Sequence, residues 1–558
     1  MLDPSAYIDS FARDRLPPEE SWPVMATDGL TELDYPKRLN AAVELLDRIV
    51  ERGFGPKPCI RSPDNEIWSY ADLLTQTNRI AGVLVNEMGV RPGNRVLLRA
   101  ANNPMLAACW LAVLKAGAIA VTTMPLLRVR ELCYIVDKAH VEFALCDAAL
   151  AQDIQETRER LPVLREILTF GGAAESELAA AMARQSDRFD NFIPSHDDVA
   201  LIAFTSGTTG SAKATMHFHR DVLAICDLFP CSTLKPDASD IFTGSPPLGF
   251  TFGLGGLLLF PMRFGASTLL LPRCTPDILL RTIQDHRITT IFTAPIMYRA
   301  MSALADSYDL ASLKACVSAG EHLPAPVAER WRQKTGLAVI DGLGSTELLH
   351  IFVSAADADV RPGMTGRAIR GYRAKIVDET MAEVPRNTVG RLAVQGPTGC
   401  RYLDDSERQK TYVRDGWNLT GDACSMDDEG YLKYQARADD MIISAGYNIS
   451  GPEIEAVLLE HPMVRECVVI GAPDEERGIV VKALVVTTEP SLAGDETAKL
   501  LQDFVKAQLA PYKYPRAIEF LDALPRTETG KVQRFRLRER EVERLKSAPA
   551  PIANPSGG

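Results

Sequence analysis

The chain has 558 residues, 46% of them hydrophobic, and a formal net charge of −12. This length predicts two or more domains with a large core, and the negative charge argues against nucleic acid as a partner. Eleven scattered cysteines without a C-x-x-C pair predict reduced thiols in the cytoplasm and argue against a structural zinc. A local basic site can still bind a small polyanion.

The first residues predict neither a signal peptide nor a membrane anchor. Asp3 and Asp9 lie within the first ten residues, which have no basic start and no apolar core of signal-peptide length. The most apolar stretch, residues 106–121, is interrupted by Lys115 and is too short to span a bilayer. We therefore expect a soluble protein that has no membrane partner.

The elements before residue 199 predict an α/β fold. Residues 1–57 indicate a polar, proline-punctuated lead-in with one amphipathic helix at 39–47. From residue 70 to about 147, helical patterns alternate with short apolar runs, which predicts βαβ units and a mostly parallel sheet. Residues 172–198 have no clear apolar period and predict a surface connection.

The stretch FTSGTTGSAK, residues 204–213, follows the apolar run 199–203. Glycines expose amide donors, hydroxyls add further hydrogen bonds and a lysine supplies a mobile cation, so this composition suits a polyphosphate. It also fits a polar turn with a solvated lysine. It is not a Walker A loop, because Ala212 precedes the lysine and no Ser or Thr follows it. The expected phosphate ligands are Thr205, Ser206, Gly207, Thr208, Thr209, Gly210 and Lys213.

In residue order this stretch resembles the phosphate-binding loop of the acyl-adenylate-forming (AMP-binding) superfamily. That superfamily includes acyl-CoA synthetases, luciferases and the adenylation domains of peptide synthetases. Its usual loop has a proline where Ala212 stands and a final glycine where Ala214 stands. Both departures affect the stiffness of the loop and not its phosphate ligands.

The motif DGLGSTE, residues 341–347, has a composition that suits a nucleotide and a metal. Its glycines allow close approach to a flat ring, Thr346 offers a hydroxyl to a phosphate, and Glu347 is a hard oxygen ligand suited to Mg²⁺. The superfamily usually has tyrosine where Leu343 stands, so stacking on adenine from that position is lost. The resemblance implies catalytic roles for Thr346 and Glu347. It implies ATP contacts from Asp341, Gly342, Leu343, Gly344 and Ser345.

Further motifs follow in the order of the superfamily. Asp422 comes after a tight turn and can accept both ribose hydroxyls. Residues 318–321 resemble the adenine-side loop, which implies nucleotide contacts from Gly320 and Glu321, and Arg437 joins the same set. His217 and His219 are two residues apart and do not share a helix face, so we expect local hydrogen bonding or packing from them and no metal.

The C-terminal part resembles the mobile lid of the superfamily. Ser450 and Glu453 form a capping-box pattern that begins a helix through Leu458. The resemblance implies a hinge at Asp439 and passage of the pantetheine arm at Gly446. It implies an N-terminal adenylate-forming domain at 1–438 and a C-terminal lid at 439–546. Residues 547–558 are predicted to be disordered.

Lys531 ends the glycine-containing stretch PRTETGK, residues 525–531. Alone it would read as a solvated surface lysine. Since the motifs occur in the family's order from residue 204 to residue 531, the resemblance implies that this lysine is catalytic and contacts the substrate carboxylate. Five basic residues nearby either bind coenzyme A phosphates or form a solvated helix face: Lys513, Arg516, Arg534, Arg536 and Arg538.

The resemblance covers essentially the whole chain and implies an α/β class. It implies a large N-terminal domain with mainly parallel sheets flanked by helices, followed by a small mobile α+β C-terminal domain. The implied activity is an AMP-forming acid:CoA ligase that uses ATP, Mg²⁺ and coenzyme A. Transfer to a carrier protein and non-catalytic nucleotide binding are the competing functions, and a homo-oligomer is left open.

The acyl pocket is assigned through the stretches 245–253 and 293–298, which resemble the substrate-side region, with Phe250 at the position of an aromatic gate. The expected lining is Phe250, Gly253, Ala294, Met297, Ser318 and Ala319. Overall the pattern is most similar to benzoate-CoA ligases, and among them to 2-aminobenzoate-CoA ligases. Salicylate, benzoate and short or medium-chain aliphatic acids stay open as substrates.

Overall fold

The computed structural model describes residues 2–172, 176–205, 212–437, 440–444, 447–474, 478–509, 513–527 and 531–547. The helices, numbered in chain order, are α1 (Phe11–Asp14), α2 (Tyr70–Gly82), α3 (Pro104–Lys115), α4 (Val129–Lys138), α5 (Ala151–Arg160), α6 (Glu177–Met182), α7 (His219–Phe229), α8 (Thr251–Leu254), α9 (Phe260–Arg263), α10 (Pro276–His286), α11 (Pro295–Leu304), α12 (Ala325–Thr335), α13 (Ser406–Tyr412), α14 (Gly451–Glu460), α15 (Asp495–Gln508) and α16 (Arg534–Ser547).

The strands are β1 (Pro58–Arg61), β2 (Ile67–Ser69), β3 (Arg95–Arg99), β4 (Ile119–Thr123), β5 (Phe143–Asp147), β6 (Glu166–Phe170), β7 (Val199–Thr205), β8 (Lys213–Phe218), β9 (Ile241–Gly244), β10 (Ser267–Leu269), β11 (Thr290–Thr293), β12 (Ala315–Ala319), β13 (Val339–Gly344), β14 (Ile351–Ser354), β15 (Arg367–Ala368), β16 (Arg373–Val377), β17 (Gly390–Gln395), β18 (Val413–Arg414), β19 (Trp417–Met426), β20 (Leu432–Arg437), β21 (Ile442–Ser444), β22 (Tyr447–Ile449), β23 (Val464–Asp474), β24 (Gly478–Thr487) and β25 (Ala517–Phe520). Short π-helical turns extend or join several helices, at Val43–Asp47, Val50–Phe54, Val83–Glu87, Pro230–Leu234 and Gly255–Leu259.

The largest sheet has the strand order β15-β14-β13-β12-β11-β9-β10-β1-β2 within the described ranges. Its six central strands, β13, β12, β11, β9, β10 and β1, pair in parallel with their neighbours among these six. At the two edges, β2, β14 and β15 pair antiparallel. The carboxyl ends of parallel strands meet at one edge of a sheet, where ligands bind in open α/β folds. This edge is therefore the first place to look for a site.

The second sheet has the order β6-β5-β3-β4-β7-β8 and is parallel except for the final hairpin. It contains the predicted βαβ units of residues 70–147, so that prediction is confirmed. Helix α3 is buried on almost every side, which explains its continuous apolar run. Lys115 at its end is buried and pairs with Asp47 at 2.8 Å. Among the described residues, no helix has both the length and the apolar character needed to cross a bilayer.

An antiparallel sheet of β16, β17, β18, β19 and β20 leads into the C-terminal part of the chain. There, β23 pairs antiparallel with β24, and β24 pairs in parallel with β25. Strands β21–β25 with helices α14–α16 form what we call the C-terminal lobe. The expected α/β class, with a large parallel-rich N-terminal domain and a C-terminal domain, is confirmed.

A cluster of ion pairs joins the strands of the C-terminal lobe to its last helix. Lys482 on β24 lies 2.7 Å from Glu519 on β25 and 2.7 Å from Glu541 on α16. Arg540 and Arg544 of α16 also contact Glu519, at 2.9 and 2.8 Å. We call these five residues the lobe charge cluster. Helix α16 is therefore attached to the sheet by charge as well as by its buried Leu537.

The expectation for residues 172–198 needs correction. Residues 172–198 are more than a surface connection, because α6 buries Leu178 and because Asp198 is buried and accepts a hydrogen bond from the Ala6 amide at 3.0 Å. These contacts depend on residues far away in sequence, which no local period reveals.

The eleven cysteines, all within the described ranges, are free thiols, as the sequence predicts.

Candidate active site

The carboxyl ends of β9, β11, β12 and β13 bring the separate motifs to one edge of the large sheet. The strand register places Gly244 beside Phe292, Thr293 beside Ser318, and Ser318 beside Asp341. The hydroxyls of Ser245 and Thr293 lie 2.6 Å apart, which ties the loop after β9 to the end of β11. The edge therefore unites the substrate-side stretches with the nucleotide motifs.

Lys531 lies against the turn that follows β12. Gly320 has a φ of +90°, in the left-handed region that favours glycine, and a Cβ built on it would be 3.9 Å from Cε of Lys531. The neighbouring Ser318 is fully buried, and its hydroxyl has no hydrogen-bond partner among the described residues. The C-terminal lobe thus presents its lysine to this edge of the N-terminal sheet.

Charged groups of both signs surround the Lys531 ammonium. The pKa of Lys531 is lowered by crowding from protein atoms, and the carboxylates of Glu321, Asp422 and Glu347 oppose this shift. The residue still keeps an exposed surface, so crowding does not remove it from water. Burial raises the pKa of Glu321 in turn, against the effect of Arg526 and Lys531. The lysine and its carboxylate neighbours form one coupled group of charges.

The motif 341–347 divides between a strand and a tight turn. Asp341 through Gly344 belong to β13, and Ser345 caps the 3₁₀ turn Thr346–Leu348 by accepting a hydrogen bond from the Leu348 amide at 3.2 Å. Burial raises the pKa of Asp341 to about 7, although hydrogen bonds from Thr365 and from the Gly342 amide favour its charged form. This segment presents glycine backbone and a carboxyl group at the sheet edge.

Glu347 is buried directly after this segment and is held by a tyrosine. The Tyr402 hydroxyl donates to Oε1 of Glu347 at 2.7 Å, and Nζ of Lys213 lies 5.9 Å from the centroid of the Tyr402 ring.

The two histidines of β8 and α7 form hydrogen bonds to the backbone. The carbonyl of Thr346 lies 2.8 Å from Nε2 of His217, and Nδ1 of His219 accepts from the Ala41 amide. The prediction of local hydrogen bonding for the two histidines is confirmed.

Asp422 and Arg437 face each other across the β19–β20 pair. The strand register pairs the two residues, and Nη1 of Arg437 donates to Oδ1 of Asp422 at 2.7 Å. Asp422 is buried, and its charge raises the pKa of Arg437. The carboxylate predicted to bind a ribose thus has an arginine on one oxygen.

The phosphate-loop stretch is described only at its two ends. Thr205 ends β7 and Lys213 begins β8, and the two are register partners in an antiparallel hairpin. The Tyr134 hydroxyl on α4 donates to the carbonyl of Ala212 at 2.8 Å, which fixes one end of the loop. Five predicted ligands lie outside the described residues: Ser206, Gly207, Thr208, Thr209 and Gly210.

The predicted acyl-side residues border the same edge. Ala294 caps α11, and Met297 lies partly exposed in the first turn of that helix. Phe250 precedes α8 and is also partly exposed, whereas a Cβ on Gly253 would come within 2.1 Å of the Pro247 carbonyl oxygen. Gly253 therefore permits a close turn, and it offers no side chain to a ligand.

Comparison with known proteins shows the family of the chain. The profile of the AMP-binding enzyme family matches residues 48–401, and that of the AMP-binding enzyme C-terminal domain matches residues 453–531. The chain belongs to the AMP-binding enzyme family. It is 34% identical to the benzoate–CoA ligase of Thauera aromatica, over 91% of this chain and 97% of that protein.

Two further relatives of this AMP-binding enzyme act on substituted benzoates according to their names. The 3-hydroxybenzoate–CoA ligase of Aromatoleum sp. is 31% identical, over 90% of this chain and 97% of that protein. The crystal structure of the anthranilate CoA ligase AuaEII in complex with anthranoyl-AMP superposes with a TM-score of 0.87 at 32% identity, covering 91% of this chain and 98% of the other. The chain is thus an acyl- or aryl-CoA synthetase, and ATP and coenzyme A are substrates of its family.

The site of this AMP-binding enzyme contains one residue that fits a hard divalent cation. Glu347 is a buried carboxylate, and its known hydrogen bond from Tyr402 uses one oxygen. Carboxylate oxygens together with substrate phosphates are the usual ligands of Mg²⁺, which rarely has an all-protein site. One protein carboxylate is therefore a sufficient donor set for a cation that arrives with a nucleotide.

Sequence patterns missed several residues of this edge. Tyr402 follows Gly-Cys-Arg without any motif, and Arg526 would read as another solvated arginine. Both reach the site only through tertiary contacts. Tyr434 stacks on His322 at 5.5 Å between ring centroids, and the two residues are far apart in sequence. The aromatic side chains of the two tyrosines are a signal too common to identify a site.

Three of the five basic residues considered for coenzyme A are ion-paired in this structure. Lys513 contacts Glu453 at 2.7 Å, Arg534 contacts Glu455 and Arg538 contacts Asp440, both at 2.5 Å. These ion pairs do not decide between coenzyme A binding and a solvated helix face, and both stay predictions. The proposed hinge Asp439 and the proposed passage at Gly446 lie outside the described residues.

Proposed function

We propose that the chain is an AMP-forming acid:CoA ligase that activates a small aromatic carboxylic acid of the 2-aminobenzoate or benzoate type. The observation that carries the proposal is the placement of Lys531 beside Gly320, at the edge where β9, β11, β12 and β13 end. The names of the benzoate–, 3-hydroxybenzoate– and anthranilate–CoA ligases among its relatives support the substrate class.

In the first step, a carboxylate oxygen of the acid bonds to the α-phosphorus of ATP, and the bond to pyrophosphate breaks. The two reactants are both anions, so the site must supply positive charge where they meet. Lys531 would contact the acid carboxylate and the α-phosphate, while Lys213 and Thr205 would contact the outer phosphates. Mg²⁺ held by Glu347 would neutralise phosphate charge.

The nucleoside part would lie between β12 and β13 on one side and β19 on the other. Gly320, Glu321 and the segment from Asp341 to Ser345 would border the adenine. Asp422 would accept hydrogen bonds from the ribose hydroxyls. Among the described residues Arg437 donates to Oδ1 of Asp422, so Oδ2 offers the lone pairs that a ribose needs.

In the second step, the thiol sulfur of coenzyme A bonds to the acyl carbon, and AMP leaves. A thiol is a few per cent ionised near neutrality and is a strong nucleophile, so no enzymic base is required. We propose that the lid, residues 439–546, rotates about Asp439 relative to residues 1–438. This rotation would withdraw Lys531 and bring Gly446 to the pantetheine arm.

A short acyl pocket is part of the same proposal. Phe250 and Met297 are bulky, partly exposed residues beside the strand ends, and Ala294, Ser318 and Ala319 are small. Bulky walls at one end and small residues at the other suit a flat ring whose carboxylate points to Lys531. The buried Ser318 hydroxyl supplies a polar atom for a ring substituent or the carboxylate.

The test is AMP formation from ATP, with and without coenzyme A, across a panel of acids: benzoate, 2-aminobenzoate, salicylate, 4-hydroxybenzoate, a cinnamate, and short and medium fatty acids. We expect a coenzyme A-dependent rate that is highest with benzoates carrying an ortho substituent or none. A preference for fatty acids would refute the substrate class. Absence of turnover with every acid would refute the ligase proposal and favour a carrier-protein acceptor.

A pair of variants on α11 makes the pocket assignment specific. Met297→Ala should shift the preference towards larger acids, because it removes bulk from the proposed pocket. Leu304→Ala changes an exposed residue at the other end of the same helix and should leave the preference unchanged. If both variants behave alike, Met297 does not line the pocket.

A further inference from the structure

Helix α11 connects the acyl-side edge to the C-terminal lobe. It begins directly after Ala294, has Met297 in its first turn, and carries Arg299 two residues after Met297. Nη2 of Arg299 lies 3.5 Å from Oε1 of Glu466 on β23, and about a fifth of each side chain is exposed, 22% and 21%. This ion pair therefore joins the N-terminal part of the chain to the lobe that carries Lys531.

Glu466 uses its second oxygen within its own lobe. Nη2 of Arg526 donates to Oε2 of Glu466 at 2.7 Å. Arg526 is part of the segment that holds Lys531, because Arg526 and Val532 form an antiparallel bridge and the Thr527 amide donates to the Lys531 carbonyl at 2.7 Å. One carboxylate thus links the acyl-side helix to the base of the lysine loop.

We propose that Arg299 is a positioning residue, which acts through Glu466 and Arg526 to hold the Lys531 loop against the acyl-side edge. The inference rests on the proposed function, in which Lys531 serves the adenylation step. It gives Arg299 a role that none of the sequence motifs suggests. Arg299 is not among the residues proposed to contact the acid or the nucleotide, so its proposed effect is on where the lysine lies.

The arrangement separates the two arginines by function. Arg526 and Glu466 belong to one lobe and would stay together in the proposed rotation, whereas Arg299 belongs to the other part of the chain and would lose Glu466 when Lys531 is withdrawn. Loss of Arg299 would therefore destabilise the orientation of the lobe in which Lys531 is at the site, and it would not affect the orientation in which Lys531 is withdrawn. The effect is limited, because α12 also packs on α14 at this boundary.

The first test separates the half-reactions. In Arg299→Gln, we expect the ratio of the adenylation rate to the rate of thioester formation from supplied acyl-adenylate to fall about three- to tenfold, the scale of one partly buried ion pair. Arg299→Lys should recover part of the ratio. Arg287→Gln is the matched control, because it breaks an exposed Arg287–Asp309 pair of 3.2 Å in the same part of the chain and should leave the ratio unchanged.

A double-mutant cycle tests the link through Glu466. Glu466→Gln should lower the same ratio, and adding Arg299→Gln to it should cause little further loss, because the shared contact is already broken. Additive losses would overturn the relay. They would mean that Arg299 affects the ratio without passing through Glu466.

Hydrogen exchange provides a readout that does not need turnover. In Arg299→Gln, amides of Leu521–Thr527 and of the start of α16 should exchange faster than in the wild-type chain, while Arg287→Gln should match the wild type. Unchanged exchange together with an unchanged rate ratio would overturn the proposal. If the wild-type chain forms no AMP with any acid, the proposed function fails, and the exchange comparison alone decides whether Arg299 holds the loop.

Discussion

Lys531 is the residue whose surroundings indicate its role most directly, because charged side chains from several motifs lie around it. Its Cε lies beside Gly320, and its pKa responds to the charges of Glu321, Arg437, Asp422 and Glu347. A positive charge placed where two anions are to meet can stabilise the charged transition state between them. Its role can be tested directly.

For Lys531→Ala, we expect adenylation to fall by about 100-fold or more, the scale of losing one preorganised charge donor. Thioester formation from supplied acyl-adenylate should be spared. Pyrophosphate exchange and single-turnover thioester assays measure the two steps separately. Equal losses in both half-reactions would contradict the assigned role.

Tyr402 is the second residue with a testable role. Tyr402→Phe removes the hydrogen bond to Glu347, and loss of a hydrogen bond to a metal ligand typically lowers metal affinity by about 10-fold or more. We therefore expect a similar rise in the Mg²⁺ concentration that gives half-maximal adenylation. Tyr35→Phe is the control, since it breaks a comparable hydrogen bond of 2.6 Å to Asp227. An unchanged Mg²⁺ requirement in Tyr402→Phe would exclude this role.

Asp341 predicts a pH dependence of stability. Its pKa is about 7 in the folded chain and about 3.9 in an unfolded one, so the folded state binds more protons between these values. Stability from this group is therefore lost as the pH rises from about 4 to 7. Asp341→Asn should be more stable than the wild type at pH 8, by about 1–2 kcal/mol because the side chain keeps some exposure, and similar at pH 4.5. Thermal unfolding at the two pH values measures this; a constant difference would contradict it.

At this scale, the sequence predicts residues that belong to local patterns and misses those that do not. Asp341, Glu347 and Asp422 occur in recognisable glycine-containing stretches; the structure brings Glu347 and Asp422 near Lys531 and Asp341 beside Ser318. Tyr402 and Arg299 have no such pattern. Their positions depend on how distant strands and helices pack, which pairwise sequence spacing does not encode.

At the scale of elements, strand register determines which motifs meet. Thr293, Ser318 and Asp341 become neighbours because β11, β12 and β13 pair in parallel without a shift. The alternation of helical and apolar runs predicts such strands, but their order in the sheet does not follow from it. In the sheet β9 lies between β10 and β11, whereas in the sequence it precedes both, so the order of the strands along the chain does not predict their order in the sheet.

Helix α7 illustrates how one element supports the site. Asp221 in its first turn accepts from the Phe218 amide at 2.9 Å and from Arg401 at 2.8 Å, and both members of this ion pair are fully buried. Arg401 directly precedes Tyr402, whose hydroxyl contacts Glu347. The start of α7 is thus connected to the proposed metal ligand through two adjacent residues.

Asp221→Ala should destabilise the chain by about 3–5 kcal/mol, because it leaves the Arg401 charge buried without its partner. Urea unfolding of the variant and the wild type measures the difference. Asp309→Ala removes one member of an exposed ion pair and should cost less than about 1 kcal/mol. Equal losses in the two variants would mean that the buried pair is not a major contribution to stability.

At the scale of the whole molecule, the proposed rotation requires a single flexible point between the two lobes. Asp439→Pro restricts the backbone at that point, so we expect thioester formation to fall at least as much as adenylation does. Measuring both half-reactions in the variant tests this expectation. A variant with wild-type rates would place the hinge elsewhere.

The lobe charge cluster has a mechanical consequence for that rotation. Lys482, Glu519 and Glu541 attach α16 to the lobe's sheet, and α16 begins three residues after Lys531. A stiff body that turns about one end amplifies a small angle into a large displacement at the other. In the proposed rotation, Lys531 would be the tip of a lever arm, and the attachment of α16 by the cluster would set how accurately that tip returns to the site.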